Sequence, residues 1–389
     1  MNPLLVSGHA VFFRVARSKL VVDDYIRRTH NEYPARELPF DSLIIHNAGG
    51  KVSFESIRFL MEHNVPIFHM NWDGTLVGLT APSGPISGEL RLAQYQASLI
   101  CSKRETIARS FIEEKIAKSL ALLQFLQRYV PTVSLTTIRK EAANTRSSLL
   151  NYEGRVAQAY WSEYAKVIGP VAPEMEFHSR GQSSFTNNMG AADRVNSMLN
   201  YGYGFLEAKC RVVLIETGLD AEVGFLHQAG PGATPLVYDL MEPWRWLVDL
   251  SVWEVLRSRS VRKTDFLVMP DYRVRLNPEA VHALVARISE NLNRRIGENG
   301  HGKEYETVLR DNARSLARFL VGESKKLSFS APFKVEDSAV DAELRKRLLS
   351  MSVEERKRLG VSKTTYHYIK RNTMEGKAFR LYAKVRARI

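Results

Sequence analysis

The sequence predicts an α+β protein in three parts: a small β-rich N-terminal domain over residues 1–88, a large all-α domain over 89–325 and, after a linker at 326–340, a helix-turn-helix over 341–389. Three observations carry that prediction. Short branched apolar runs separated by turn residues crowd the start, long stretches with apolar residues at helical spacing fill the middle, and short capped helices around a Gly turn end the chain.

In the first part, SLIIHNAGGKV places a branched apolar run before Gly49-Gly50, and SFESIRFLMEHNV has the period of a helix. PIFHMNWDGTLVGLT reads as two strands joined at Asp73-Gly74, a two-residue hairpin signal. APSGPISG, from Ala81 to Gly88, gathers Pro, Gly and Ser as a linker does. From Leu90 to about Val321 the segments ETIARSFIEEKIAKSLALLQFLQRY and VNSMLNYGYGFLEAKCRVVLIETG are helical in period. The second sets Leu199, Tyr203, Leu206, Cys210 and Leu214 on one stripe and ends at Gly218. KKLSFSAPFKVEDSA is looser and leads into the tail.

In the tail, Asp341 can cap a helix carrying Leu344, Leu348 and Leu349. Ser352 and Glu355 make a capping box for a second helix that ends at Leu359-Gly360, and Ser362 can cap a third through SKTTYHYIKRN. That order is the shape of a helix-turn-helix, whose last helix enters the DNA major groove. Lys363, Thr364, Thr365 and His367 would face bases, and Lys370 and Arg371 phosphates. A plain helical hairpin packed on the main domain would read alike.

Composition narrows the function classes. With 389 residues, 44% hydrophobic and 25% charged, the chain is an ordinary globular protein and no disordered tail. Cys101 and Cys210 are far apart and lack C-x-x-C spacing, which excludes a disulfide framework or zinc finger and fits a reducing cytoplasm. No apolar run reaches the roughly 18 residues of a spanning helix, and the start lacks the basic-then-apolar order of a signal peptide. The expectation is a soluble cytoplasmic protein with no membrane partner. A formal net charge of +13 attracts polyanions. Residues 341–389 concentrate it, with 14 Lys and Arg against 5 Asp and Glu; nucleic acid is the expected partner, and a merely solvated basic surface is the alternative.

Four residues point to chemistry. In RSSLLNYEGRVAQAYWSEYAKV, Leu149, Leu150, Val156, Ala157, Tyr160, Trp161 and Tyr164 define a buried stripe, and Glu153 falls inside it. A carboxylate there calls for a cation, a metal or a cleft, because burying it unpaired is costly; an Arg or Tyr partner would also serve. In GFLHQAGPGATPLVYDLMEPWR, His227 stands in a Gly-rich connection, and Asp239 and Glu242, three residues apart, share a helical face. D-L-M-E is equally a capping box, with Pro243 in a first helical turn. Taken together, Glu153, His227 and Glu242, with Asp239 beside them, offer an imidazole and carboxylate oxygens to Mn²⁺ or Mg²⁺. In a basic protein the natural substrate of such an ion is a phosphodiester.

These motifs carry a resemblance. LLNYEG around Glu153, NSMLNYGYGFL from Asn196, GFLH ending at His227 and DLMEPWR from Asp239 are similar to the pattern of the CRISPR-associated adaptation endonuclease/integrase family. The resemblance covers about four fifths of the chain. It implies a β-rich N-terminal domain that mediates dimerisation and a helical catalytic domain. It further implies a homodimer able to assemble further on DNA, metal ligands at Glu153, His227 and Glu242, and Asp239 as the neighbouring acid. The last ligand is often Asp, whereas Glu242 reaches one methylene further, which bears on metal preference. The C-terminal addition most resembles the casposases, the related integrases of self-synthesising transposons. The reading is a metal-dependent DNA integrase that joins a 3′ hydroxyl to a target phosphodiester. The alternatives are a CRISPR spacer integrase working with a small partner nuclease, and a non-catalytic DNA-binding protein with a structural metal.

Overall fold

Two four-stranded sheets are built from the first 80 residues: β1 (Pro3–Ser7), β2 (Val11–Ala16), β3 (Lys19–Asp24), β4 (Thr29–Pro34), β5 (Ser42–His46), β6 (Gly50–Val52), helix α1 (Phe54–Glu62), β7 (Ile67–Met70) and β8 (Leu76–Thr80). The computed structural model describes residues 2–46, 49–85, 87–144, 148–180, 191, 193–227, 230–270, 273–296, 302–329, 333, 335, 350, 352–358 and 362–374. One sheet has the order β1-β5-β7-β8, with β8 alone antiparallel to its neighbour. The other runs β4-β3-β2-β6, with β6 parallel to β2 and the rest antiparallel.

The strand SLIIH has no polar alternation because both its faces are buried. Leu43 and Ile67 turn into a small core with Phe13, Leu20, Val22 and Leu60. Ile44, Phe68 and Met70 turn the other way, into the main helical core. The β2–β3 hairpin, in contrast, gives no sequence signal. Its turn residues, Arg17 and Ser18, both take positive φ (50° and 58°), a conformation that Asn-Gly usually advertises.

The rest is mostly helical: α2 (Gly88–Leu99), α3 (Cys101–Leu126), α4 (Thr136–Ala143), α5 (Leu149–Val171), α6 (Arg194–Thr217), α7 (Pro235–Met241), α8 (Arg245–Arg257), α9 (Pro278–Asn293) and α10 (Tyr305–Leu320). It is not all-α. Among the described residues, two short antiparallel pairs interrupt it, β9 (Phe266–Val268) with β10 (Val274–Leu276), and β11 (Arg295–Ile296) with β12 (Lys303–Glu304). Strands of two or three residues are too short to show a period of two. Ser87 caps α2 by accepting from Leu90 N, so Gly88 already belongs to a helix. Helix α6 is buried around its circumference, Leu199, Tyr203, Leu206, Cys210 and Leu214 included, and Gly218 ends it at φ 81°. The looser segment beyond α10 is partly packed: Phe329 stacks on Phe111 at 4.1 Å, and Phe333 lies 4.9 Å from Trp246.

In the tail, Ser352 Oγ accepts from Glu355 N while Glu355 accepts from Ser352 N, the reciprocal capping box at the head of α11 (Val353–Arg358). Helix α12 (Lys363–Met374) carries Lys363, Thr364, Thr365, His367, Lys370 and Arg371. The first tail helix, with Leu344, Leu348 and Leu349, and the turn at Gly360 lie outside the described residues.

The hairpin tip between β7 and β8 meets α6 backbone to backbone. A Cβ on Gly204 would stand 1.8 Å from the Gly74 carbonyl oxygen, whereas one on Gly154, exposed on α5, would meet nothing within 4 Å. Gly204→Ala should therefore lower the thermal midpoint, overpacking of about 1–3 kcal/mol outweighing the gain in helix propensity. Gly154→Ala should raise it, through a stability gain of roughly 0.5–1 kcal/mol. Calorimetric melting of the two variants checks both signs.

Candidate active site

Helix α3, helix α5 and the turn after α7 bring charged side chains to one cavity of about 220 Å³. Pro243 lacks the N–H that would continue α7, so the chain tightens into a 3-10 turn at Glu242–Trp244 before α8 begins. That turn points Glu242 inward, where it is almost fully buried. Its Oε1 accepts from Arg245 Nε at 2.9 Å, and its Oε2 lies 2.6 Å from the Lys115 ammonium. Lys115 also donates to Glu153 Oε1, so the two carboxylates share one cation. Burial alone would push the Glu242 carboxyl up; the Arg245 guanidinium and then the Lys115 ammonium overcome that and hold it at about 2.

Asp239 is buried completely and acts on the loop before it. Its Oδ2 accepts from Phe225 N (2.6 Å) and Leu226 N (3.0 Å), and its Oδ1 from His227 N (3.0 Å). Oδ1 also lies 2.7 Å from His227 Nδ1. A carboxylate only accepts, so His227 Nδ1 donates to Asp239, and Nε2 is the ring atom turned towards Glu242 Oε1, 4.0 Å away. The D-L-M-E capping box is not formed, because Asp239 is occupied by the His227 loop.

The structure thus links all four expected residues: Glu153 to Glu242 through Lys115, and His227 to Glu242 with Asp239 behind it. The stripe that singled out Glu153 needs adjusting. Leu150 is 59% exposed, Glu153 sits half-buried at the rim, and the buried acid of α5 is Glu163, which accepts from Ser134 N and pairs with Lys166. Among the described residues, none of the basic side chains on α12 lines this cavity.

Sequence reasoning missed the cavity's cations and its phenol cluster. Arg245 lies over the Tyr203 ring at 4.7 Å, and Arg180 over the same ring at 5.3 Å. Asp249 accepts from the Tyr160 and Tyr203 hydroxyls. A period count could have flagged Lys115, which follows Phe111 and Ile112 on the apolar face of α3 as Glu153 does on α5.

Among the described residues no three His, Cys, Asp or Glu side chains close on a metal position as they stand. The Lys115 ammonium stands between two of the candidates. The donors nevertheless fit a divalent ion. Two carboxylates already share a cation, and an imidazole nitrogen faces the same acid.

A helical body around two acids and a histidine, with a β-rich start, defines a family by comparison. The model for CRISPR associated protein Cas1 matches residues 4–290, which include every residue lining the cavity. The chain belongs to this family of CRISPR-associated endonucleases and integrases. It is 28% identical over 345 residues to a CRISPR-associated endonuclease Cas1 of Archaeoglobus fulgidus, covering 83% of this chain and 97% of the relative. Among solved structures, a casposase bound to integration product is similar at a TM-score of 0.78 and 32% identity, over 90% of this chain and 99% of that one. A CAS1 protein from Thermotoga maritima shares the fold at 0.68 and 18% identity, over 85% of this chain and all of that one.

Burial pushes the Asp249 carboxyl up to about 6, despite the hydrogen bonds from Tyr160 and Tyr203 and the charges of Arg245 and Arg180. Its folded value lies above the ordinary value near 3.9. Its stabilising contribution is therefore complete below about pH 4 and lost as pH rises through the folded value. The thermal midpoint of the native protein should fall, relative to that of Asp249→Asn, between about pH 4 and pH 6. Parallel midpoint curves would remove Asp249 as the titrating group.

Proposed function

We propose that the chain is a divalent-metal-dependent DNA integrase of the casposase kind, joining a DNA 3′ hydroxyl to a target phosphodiester by one-step transesterification. The observation that carries this reading is the shared cation position of Glu153 and Glu242, with His227 Nε2 directed at Glu242 by Asp239. Glu153, His227 and Glu242 would hold Mn²⁺ or Mg²⁺. When bound, such an ion supplies Lewis-acid activation of the phosphate and charge stabilisation of the attacking and leaving oxygens.

The chain's own groups do the rest. Asp239 fixes the imidazole tautomer and ring plane from behind, a positioning role. Arg245, set on the Tyr203 ring, keeps Glu242 ionised and in place. The 3′ hydroxyl gives up its proton to solvent as its oxygen attacks phosphorus, the P–O3′ bond of the target breaks, and the departing 3′ oxygen takes up a proton in turn. The similarity to a casposase over 90% of this chain, beyond the span of the family model, favours an integrase of mobile DNA. Similarity to curated CRISPR-associated endonucleases supports spacer integration as the second reading. A solved Cas6-RT-Cas1–Cas2 complex shares the fold at 19% identity over 86% of this chain, so a small partner protein belongs to that reading. A DNA-bound homodimer built on the β-rich region is part of both.

His227→Ala and Glu242→Gln should each abolish strand joining, by at least about 100-fold, while DNA affinity, set by many Lys and Arg contacts, stays within about twofold. Joining and filter-binding assays on the same preparations decide it; full joining by either variant with Mn²⁺ present would falsify the site.

We assign the tail, with domain limits at 1–88, 89–325 and 341–389, to DNA selection by a helix-turn-helix. The exposed Lys363, Thr364 and His367 on α12 support it, as does the capping box of α11. Deleting residues from Asp341 onward should weaken DNA binding, flatten its salt dependence and erase preference for cognate ends, while a pre-aligned branched substrate is still processed slowly. Binding of full-length and truncated protein to cognate and scrambled DNA across a salt series is the measurement. An unchanged slope and preference would make the tail a structural appendage.

A further inference from the structure

Lys115 is a lysine where a metal site would place its ion. It projects from α3 between Glu153 of α5 and Glu242 of the 3-10 turn, and its side chain is 18% exposed against 25% and 5% for the two acids. Its neighbour Lys118 turns elsewhere and pairs with Glu114 at 2.7 Å. The contact to Glu242 Oε2 measures 2.6 Å, within the shell that carboxylate oxygens form around a divalent ion, about 2.0–2.6 Å. Ammonium and ion therefore claim the same volume and repel each other.

The acids are poorly placed to move apart and admit both. Glu242 is pinned by Arg245 and by the tight turn, and α3 packs directly on α5 and on that turn. The lysine, on a flexible four-carbon stem, is the group that can leave. Arg245 remains to balance Glu242 when it does.

We propose that Lys115 is the resident counter-cation of the metal-free site: it holds Glu153 and Glu242 together and is exchanged for the divalent ion on loading. The proposal rests on the reading of those two acids as ligands. Two consequences separate it from a merely structural lysine. Removing the ammonium relieves the competition, so the ion binds more tightly. It also leaves two carboxylates facing each other without the ion, so the metal-free protein becomes less stable and the ion restores it.

The test is calorimetric titration of Mn²⁺ into the full-length protein without DNA, for the native chain, Lys115→Met, Lys118→Met and Glu242→Gln. Lys115→Met should bind Mn²⁺ on the order of tenfold more tightly than the native chain, within the range of ordinary coupling free energies. Lys118→Met should match the native chain, and Glu242→Gln should lose the binding. In melting experiments Lys115→Met should fall below the native chain without Mn²⁺ and converge with it at saturation. Lys115→Gln, which keeps an amide donor between the acids, should move in the same direction and serves if Lys115→Met does not fold without the ion. Equal or weaker Mn²⁺ binding by both Lys115 variants, with Glu242→Gln still defective, overturns the exchange and leaves the ligand assignment standing. Native binding unaffected by Glu242→Gln overturns the ligand assignment and the exchange together.

Discussion

Glu242 carries a negative charge at 5% side-chain exposure, and in that setting an unpaired carboxylate would cost several kcal/mol. Two cations answer it from different elements, Arg245 from the start of α8 and Lys115 from α3. Because Lys115 also holds Glu153, the ion pairs fasten α3, α5 and the turn after α7 to one point. The geometry of the His227 loop follows, since Asp239 sits one turn before Glu242 and ties down three successive N–H groups. One buried charge thus fixes the spacing of every group in the candidate site.

Around that point polar groups tie three helices together. The phenols of Tyr160 and Tyr203 bind Asp249, and Tyr164 donates to the Asp249 carbonyl at 2.7 Å, so α5, α6 and α8 are joined by polar contacts inside an otherwise apolar core. Such a network has every member satisfied, which specifies one arrangement of the helices where apolar packing alone would tolerate several. A site that must hold reacting groups to within a fraction of an ångström needs that support.

The legible parts of the sequence were those where one local rule acts alone. Asp73-Gly74 marked a hairpin, although its connection runs over residues 71–75 with a register shift rather than two residues; Gly218 marked a helix end, and Ser352 with Glu355 a capping box, each because a single residue type answers a single backbone demand. The β2–β3 turn is illegible because Arg17 and Ser18, residue types that rarely adopt positive φ, both do so there. Glu153, His227, Asp239 and Glu242 were found by being charged where apolar residues or a plain loop were expected. The same argument applied to α3 points to Lys115, but weakly, because a lysine among apolar residues usually reaches solvent with its stem buried. Arg180 and Asp249 could not be placed, since their partners lie on other elements.

The sheet β1-β5-β7-β8 lends one face to each of two cores, with Leu43 and Ile67 on one side and Ile44, Phe68 and Met70 on the other. A segment built this way is not a portable module. Recombination that exchanged the first 80 residues for those of a distant relative would carry away part of the helical core's own filling. The tail is different in kind: among the described residues of α11 and α12, side chains are mostly exposed, and such an appendage can be gained or lost across a lineage while the ancestral body keeps its packing.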